Sequence, residues 1–271
     1  MNEFLQTDFA NADGFGKGSV NVEGVLRIFC AHPHMDTRNA CLQILRSTIQ
    51  TGEGHRMFLY GSHDEAYALL EFTIKGLNLG PAPATYHGTS ARHHQDFWYE
   101  DGRKILMEVY LALAAGNINN AFDRRKPITF LFELVKSGKS PFSPPKTLKH
   151  VLYHTNQLFF YYRDKKHELE GLEEFLTGYL HRQVENLCGE KLLTDDDWEP
   201  VRKIIEFIVG HKYYKTSLHV ELERMKKLLW EERRKQGKMS EMGFDKATQS
   251  CLYEQAISLL DYVIHLHIRN T

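Results

Sequence analysis

Two short stretches of the chain hold the residue types best suited to chemistry. His32 and His34 alternate, with Asp36 two residues further on, directly after the apolar run Val25-Leu26-Arg27-Ile28-Phe29-Cys30-Ala31. At the tip of a strand, alternate residues project to one side, so two imidazoles and a carboxylate can converge there on a metal ion or a phosphate. The second stretch holds His87, His93, His94 and Asp96 close behind Gly80-Pro81-Ala82-Pro83. It reads as a polar loop, the kind of segment that carries functional groups. Folded onto the first, His93, His94 and Asp96 would complete a metal shell begun by His32, His34 and Asp36. A divalent metal there would activate water and polarise a substrate, the chemistry of a metal-dependent hydrolase. The competing account is plainer: a polar turn whose Asp36 caps a helix, and a loop of solvated histidines.

Short family resemblances begin at both places. His32-x-His34-x-Asp36 resembles the opening of the metallo-β-lactamase pattern His-x-His-x-Asp-His, with Thr37 standing where that pattern has its last histidine. Ala31-His32-Pro33 is similar to the start of the Ala-His-Pro-Asp-Asp-Glu motif of deacetylases acting on N-acetylglucosaminyl lipids. It is also similar to the strand-Ala-His-Pro of flavodoxin-like quinone reductases. His87-Gly88-Thr89 resembles the His-Gly-Thr of ADP-ribosyltransferases, whose histidine contacts NAD ribose. In each case the partner motif is missing from the rest of the chain, so no family is assigned.

The elements that would position these residues follow from periodicity and punctuation. Residues 1–19 read as a flexible entry segment, with Gly14, Gly16 and Gly18 among polar residues. Val20 to Ala31 and Arg56 to Tyr60 read as strands, and Thr37 to Ile49 and His63 to Lys75 as helices, the second with Ser62 and Glu65 as a capping box. Beyond Glu100 the pattern is helical. Ile105 to Ala115 stops at Gly116, and Pro127 opens Ile128 to Lys136. The stretch from Ser137 to Lys146, with Pro141, Pro144 and Pro145, is the clearest linker. Five helices are expected after it: Thr147 to Asp164, Glu168 to Leu187, a third capped by Thr194 and ending at Gly210, Ser217 to Gln236, and Asp245 to His267. The fold class is therefore mainly α. A small α/β or α+β portion is expected within 20–140, and a multi-helix bundle over 147–271.

Composition narrows the function classes. Lys+Arg 34 against Asp+Glu 35 gives a formal net charge of -1, so no global field draws the 271-residue chain onto nucleic acid or an acidic membrane. Cys30, Cys41, Cys188 and Cys251 show no CxxC pairing and lie in apolar runs. They read as buried free thiols, which points to a reducing compartment. With no secretory leader pattern and no apolar run of membrane-spanning length, the expected location is intracellular, cytoplasmic by default.

Basic runs at Arg124-Arg125-Lys126, Arg163 to His167 and Arg233-Arg234-Lys235 lie near aromatic residues, the pairing used by single-stranded RNA binders. They also lie at helix ends, where cations are favourable. Asp195-Asp196-Asp197 after Thr194 fits a helix N-terminus. The leading expectation is a non-enzymatic binding or assembly protein with a protein partner or self-association. RNA is the further candidate partner, with no membrane and no cofactor. The candidate surface is the narrow stripe Leu222, Met225 and Leu229 with Arg233 and Arg234, on the charged helix from Ser217 to Gln236. The alternative is the metal-dependent hydrolase at His32, His34 and Asp36.

Overall fold

The computed structural model describes residues 20–32, 35–50, 57–58, 63–76, 102–113, 121–161, 169–188, 194–238 and 244–270. The expected entry segment 1–19 lies outside them. The chain divides into two compact units, Met1–Ser143 and Pro144–Thr271, and helix dominates both.

In the first unit, β1 (Val20–Asn21) pairs in parallel with β2 (Met57–Phe58), in the register Val20↔Met57 and Asn21↔Phe58. That pair is all the strand among the described residues, so the expected α/β portion is corrected. The run read as a strand is α1 (Val22–Ala31). Its apolar residues also fit the helical period: Val22, Val25, Leu26 and Phe29 form one buried stripe at i, i+3, i+4 and i+7. A short apolar run satisfies both readings, and here burial of one helical face decided. The Glu23–Arg27 ion pair, 2.6 Å long at i,i+4, reinforces the helix.

Helix α2 (Met35–Gln50) packs on α1 through Cys41, Leu42 and Leu45. Helix α3 (His63–Gly76) also packs on α1. Helix α4 spans 102–113, and α5 (Ala121–Lys136) completes the unit. The buried Tyr110 hydroxyl on α4 donates to Glu71 Oε1 on α3. Burial first, and then the Glu71 carboxylate, push that phenol far above its ordinary pKa. Arg103, at the start of α4, is buried as well. Its Nε donates to the Ile74 carbonyl at 3.3 Å and its Nη2 to the Lys139 carbonyl, which ties α4 to the ends of α3 and α5. Pro127 sits inside α5 rather than opening it, at the loss of a backbone hydrogen bond. The helix stops at Gly138, whose φ of 67° suits glycine. Gly138 N–H donates to Val135 O at 3.0 Å and Lys139 N–H to Leu134 O at 2.8 Å, a Schellman close.

The second unit is helical wherever it is described. Pro144 and Pro145 occupy the first turn of α6 (Pro144–Tyr161), where missing N–H groups cost nothing, so the helix begins inside the expected linker. Helices α7 (Leu172–Cys188), α8 (Asp195–His211), α9 (Thr216–Lys238) and α10 (Phe244–Asn270) follow. Helix α6 packs on α8, and α9 lies between α7 and α10. Thr194 caps α8 as expected: its hydroxyl accepts from Asp197 N–H at 3.2 Å, over the three first-turn aspartates. Gly210 does not end that helix. Lys212 does, at φ 52°, with Lys212 N–H on Val209 O and Tyr213 N–H on Ile208 O. Tyr213 is then buried against Phe207 and Phe159, with ring centroids 5.9 and 6.1 Å away.

A polar seam fixes α7 against α9. Ser217 Oγ donates to Glu173 at 2.5 Å and accepts from Thr177 at 3.1 Å. One turn along, the buried Glu221 carboxylate takes Arg224 at 3.1 Å and meets His181 Nδ1 at 3.3 Å. A buried carboxylate is costly unless paired, and Arg224 on its own helix and His181 on α7 lie against it.

Candidate functional site

His34, His93, His94 and Asp96 lie outside the described residues, as does the His87-Gly88-Thr89 stretch. His32 follows the last residue of α1. Its N–H donates to Ile28 O at 2.9 Å, and its carbonyl accepts from Arg38 Nε at 2.7 Å. The backbone here closes one helix and leads into another, so the alternation of side chains along a strand does not apply to His32 and Asp36. Asp36 is exposed in the first turn of α2, where its charge complements the helix dipole, rather than standing at the cap. Among the described residues no group of three or more His, Cys, Asp or Glu side chains is arranged to hold a metal ion. The thiol expectation is corrected in part: Cys41 is buried, but Cys30 and Cys251 are exposed.

The expected partner stripe on α9 is also corrected. Leu222, Met225 and Leu229 are at most 3% exposed and face the neighbouring helices α7 and α10. Their narrow spacing serves packing within the unit, so they offer nothing to a partner. Arg233 pairs with Glu254 on α10 and lies over the Trp230 ring at 5.5 Å, and Lys235 pairs with Glu232. Arg234 is exposed. This end of α9 carries both signs of charge and is largely self-neutralised.

A different surface stands out by what it lacks. Helix α6 contains no Asp or Glu at all, and residues 207–220, from the last turns of α8 into α9, contain none either. The whole chain carries Asp+Glu 35, so both stretches are short of acid in sequence, although Glu173 of α7 reaches Ser217 in the second. The two stretches meet. Phe159 packs its ring against Phe207 at 5.7 Å and edge-on against His211 at 5.3 Å. His211 Nε2 lies 2.6 Å from Asn156 Oδ1. Lys212 follows His211, is exposed, and forms the left-handed cap of α8.

The outer line of α6 runs Lys146, Lys149, Tyr153, Asn156, Phe160 at helical spacing, and all five are exposed. Tyr153 is 56% exposed and Phe160 64%, unusual for rings of that size. The half-buried His150 and His154 stack beside this line, their centroids 6.2 Å apart, and Tyr153 meets His154 edge-on at 5.0 Å. Lys146 stands in the first turn of α6, where the helix dipole disfavours a cation and where α8 places three acids instead. Helix stability therefore does not account for it. The sequence carries a signal for this surface in the missing acids, whereas its basic runs fall at helix ends.

Comparison with protein-family models, with curated proteins and with solved structures returns no match. Among the described residues, no helix is long and apolar enough to cross a membrane.

Proposed function

We propose that this is a non-enzymatic helical binding protein whose partner surface lies on the second unit. That surface comprises the exposed line of α6 with His211 and Lys212 at the end of α8, and it takes an anionic partner. One observation carries the reading: two stretches without Asp or Glu in their sequence are packed side by side and expose Lys146, Lys149 and Lys212 beside the exposed rings of Tyr153 and Phe160. Helix α6 itself carries no acid within helical reach of Lys149. By contrast, Arg202 and Lys203 on α8 are engaged by Glu199 and Glu206.

Retention of the full chain on an immobilised polyanion tests this. Reversing Lys146, Lys149 and Lys212 together to glutamate is expected to lower the eluting salt concentration sharply. Reversing the exposed Lys227 on α9 should shift it little, since screened charges act locally. Equal shifts from the two sets, or no retention of the unmodified protein, would refute the assignment.

A further inference from the structure

We infer that the last turn of α10 is an acid-released latch, docked on α9 through the stacked rings of His219 and His267 and freed when that stack takes up a proton. The inference stands apart from the α6 surface. Helices α9 and α10 are cross-linked about every two turns: Arg233 pairs with Glu254, Lys226 pairs with Asp261, and His219 then stacks on His267 with centroids 4.4 Å apart. The first two links join opposite charges, and a cation with a carboxylate keeps both charges at mildly acid pH. The third joins two imidazoles, which repel once charged. His267 is also the last buried residue of its helix, since 268–270 are exposed. An apolar side chain there would hold the turn at any pH, whereas an imidazole holds it only while neutral. Its burial, and next the His219 ring, keep the pKa of His267 below the ordinary value. The surrounding groups do not offset this. Glu223 on α9 is 56% exposed and lies 3.3 Å from His219 Nε2, and its pull on His267 is the smallest of the three influences. Tyr214, ahead of α9, meets His267 edge-on at 6.0 Å. Helix α8 also packs on α10. Its Asp195, Asp196 and Asp197 stand in its first turn, its Glu199, Arg202, Lys203 and Glu206 pair with one another, and its His211 lies against Asn156. On α10 itself, His265 Nδ1 lies 2.8 Å from the Asp261 carbonyl, and Arg269 is exposed. Release uncovers the Tyr214 and His219 rings against which His267 packs.

The test is amide hydrogen exchange of the full chain at about pH 7.5 and about pH 5.5, corrected for the intrinsic pH dependence of exchange. Protection of 266–270 is expected to fall by up to about ten-fold, the most that one imidazole supplies a pH unit below its ordinary pKa. Protection of 253–264, which holds the two ion-pair links and the buried Leu260, Val263 and Ile264, is expected to persist. His267→Phe keeps a ring and removes the charge, so it should make protection of the last turn independent of pH. His219→Phe should shrink the fall, and His265→Gln on the exposed side should leave it unchanged. Thermal melting at about pH 7.5 checks that the ring variants fold, and the His219→Phe arm stands if His267→Phe does not. No acid-dependent loss in 266–270, a loss spread evenly over α10, or a loss that survives His267→Phe would overturn the latch. None of these results bears on polyanion retention by the α6 surface.

Discussion

His219 and His267 stack at the junction of α9 and α10 with ring centroids 4.4 Å apart, beside the Tyr214 ring and the Glu223 carboxylate. Two imidazolium rings face to face would repel each other. Burial first, and then the neighbouring His219, hold the His267 imidazole below its ordinary pKa, against a smaller opposing pull from Glu223. The fold favours neutral His267 and the unfolded chain accepts a proton at about pH 6.5, so the unfolded state binds more protons as pH falls. Stability is complete above that value and is lost as pH falls through it toward the lowered folded value. Urea midpoints measured from about pH 7.5 down to about pH 5.5 should decline. His267→Leu should flatten that decline. An unchanged slope in the variant would remove the stacked pair from the explanation.

At the scale of single elements, Lys212 has two roles that one substitution separates. It holds a left-handed backbone at φ 52°, which costs a side-chain-bearing residue about 1 kcal/mol relative to glycine. It also contributes charge to the α6–α8 surface. Lys212→Gly is therefore expected to raise stability by up to about 1 kcal/mol while weakening polyanion binding. A loss of stability in denaturant titration would contradict the account of the cap.

The same region shows why some elements were legible in the sequence and others were not. Thr194 with its three aspartates announced the start of α8, because caps and dipoles are local chemistry. The end of α8 falls at Lys212 rather than Gly210, because burial of Tyr213 against Phe207 and Phe159 selects the stop, and that is a tertiary preference. Val20 to Ala31 read as strand because its apolar residues satisfy both periods, and packing against α2 and α3 chose between them. The apolar spacing along α9 specifies a stripe. Its destination against α7 and α10 could not be read from its spacing, since a core seam and a partner seam follow the same periodicity.

For the molecule as a whole, balanced composition concealed local imbalance. A net charge of -1 argued against polyanions, yet the acids cluster elsewhere, notably at the start of α8 and along α9. The acid-free stretches lie apart in sequence, and only the packing of α6 on α8 joins them into one surface. The metal expectation rested on a strand tip at His32 that the fold replaces with a helix end. The most direct test of the account is chemical-shift mapping of the full chain titrated with a soluble polyanion. The account predicts that shifts concentrate in 144–161 and 207–216, with Tyr153, Phe160 and Lys212 among the largest. Shifts centred on the Arg233–Arg234 end of α9, or confined to the first unit, would contradict it.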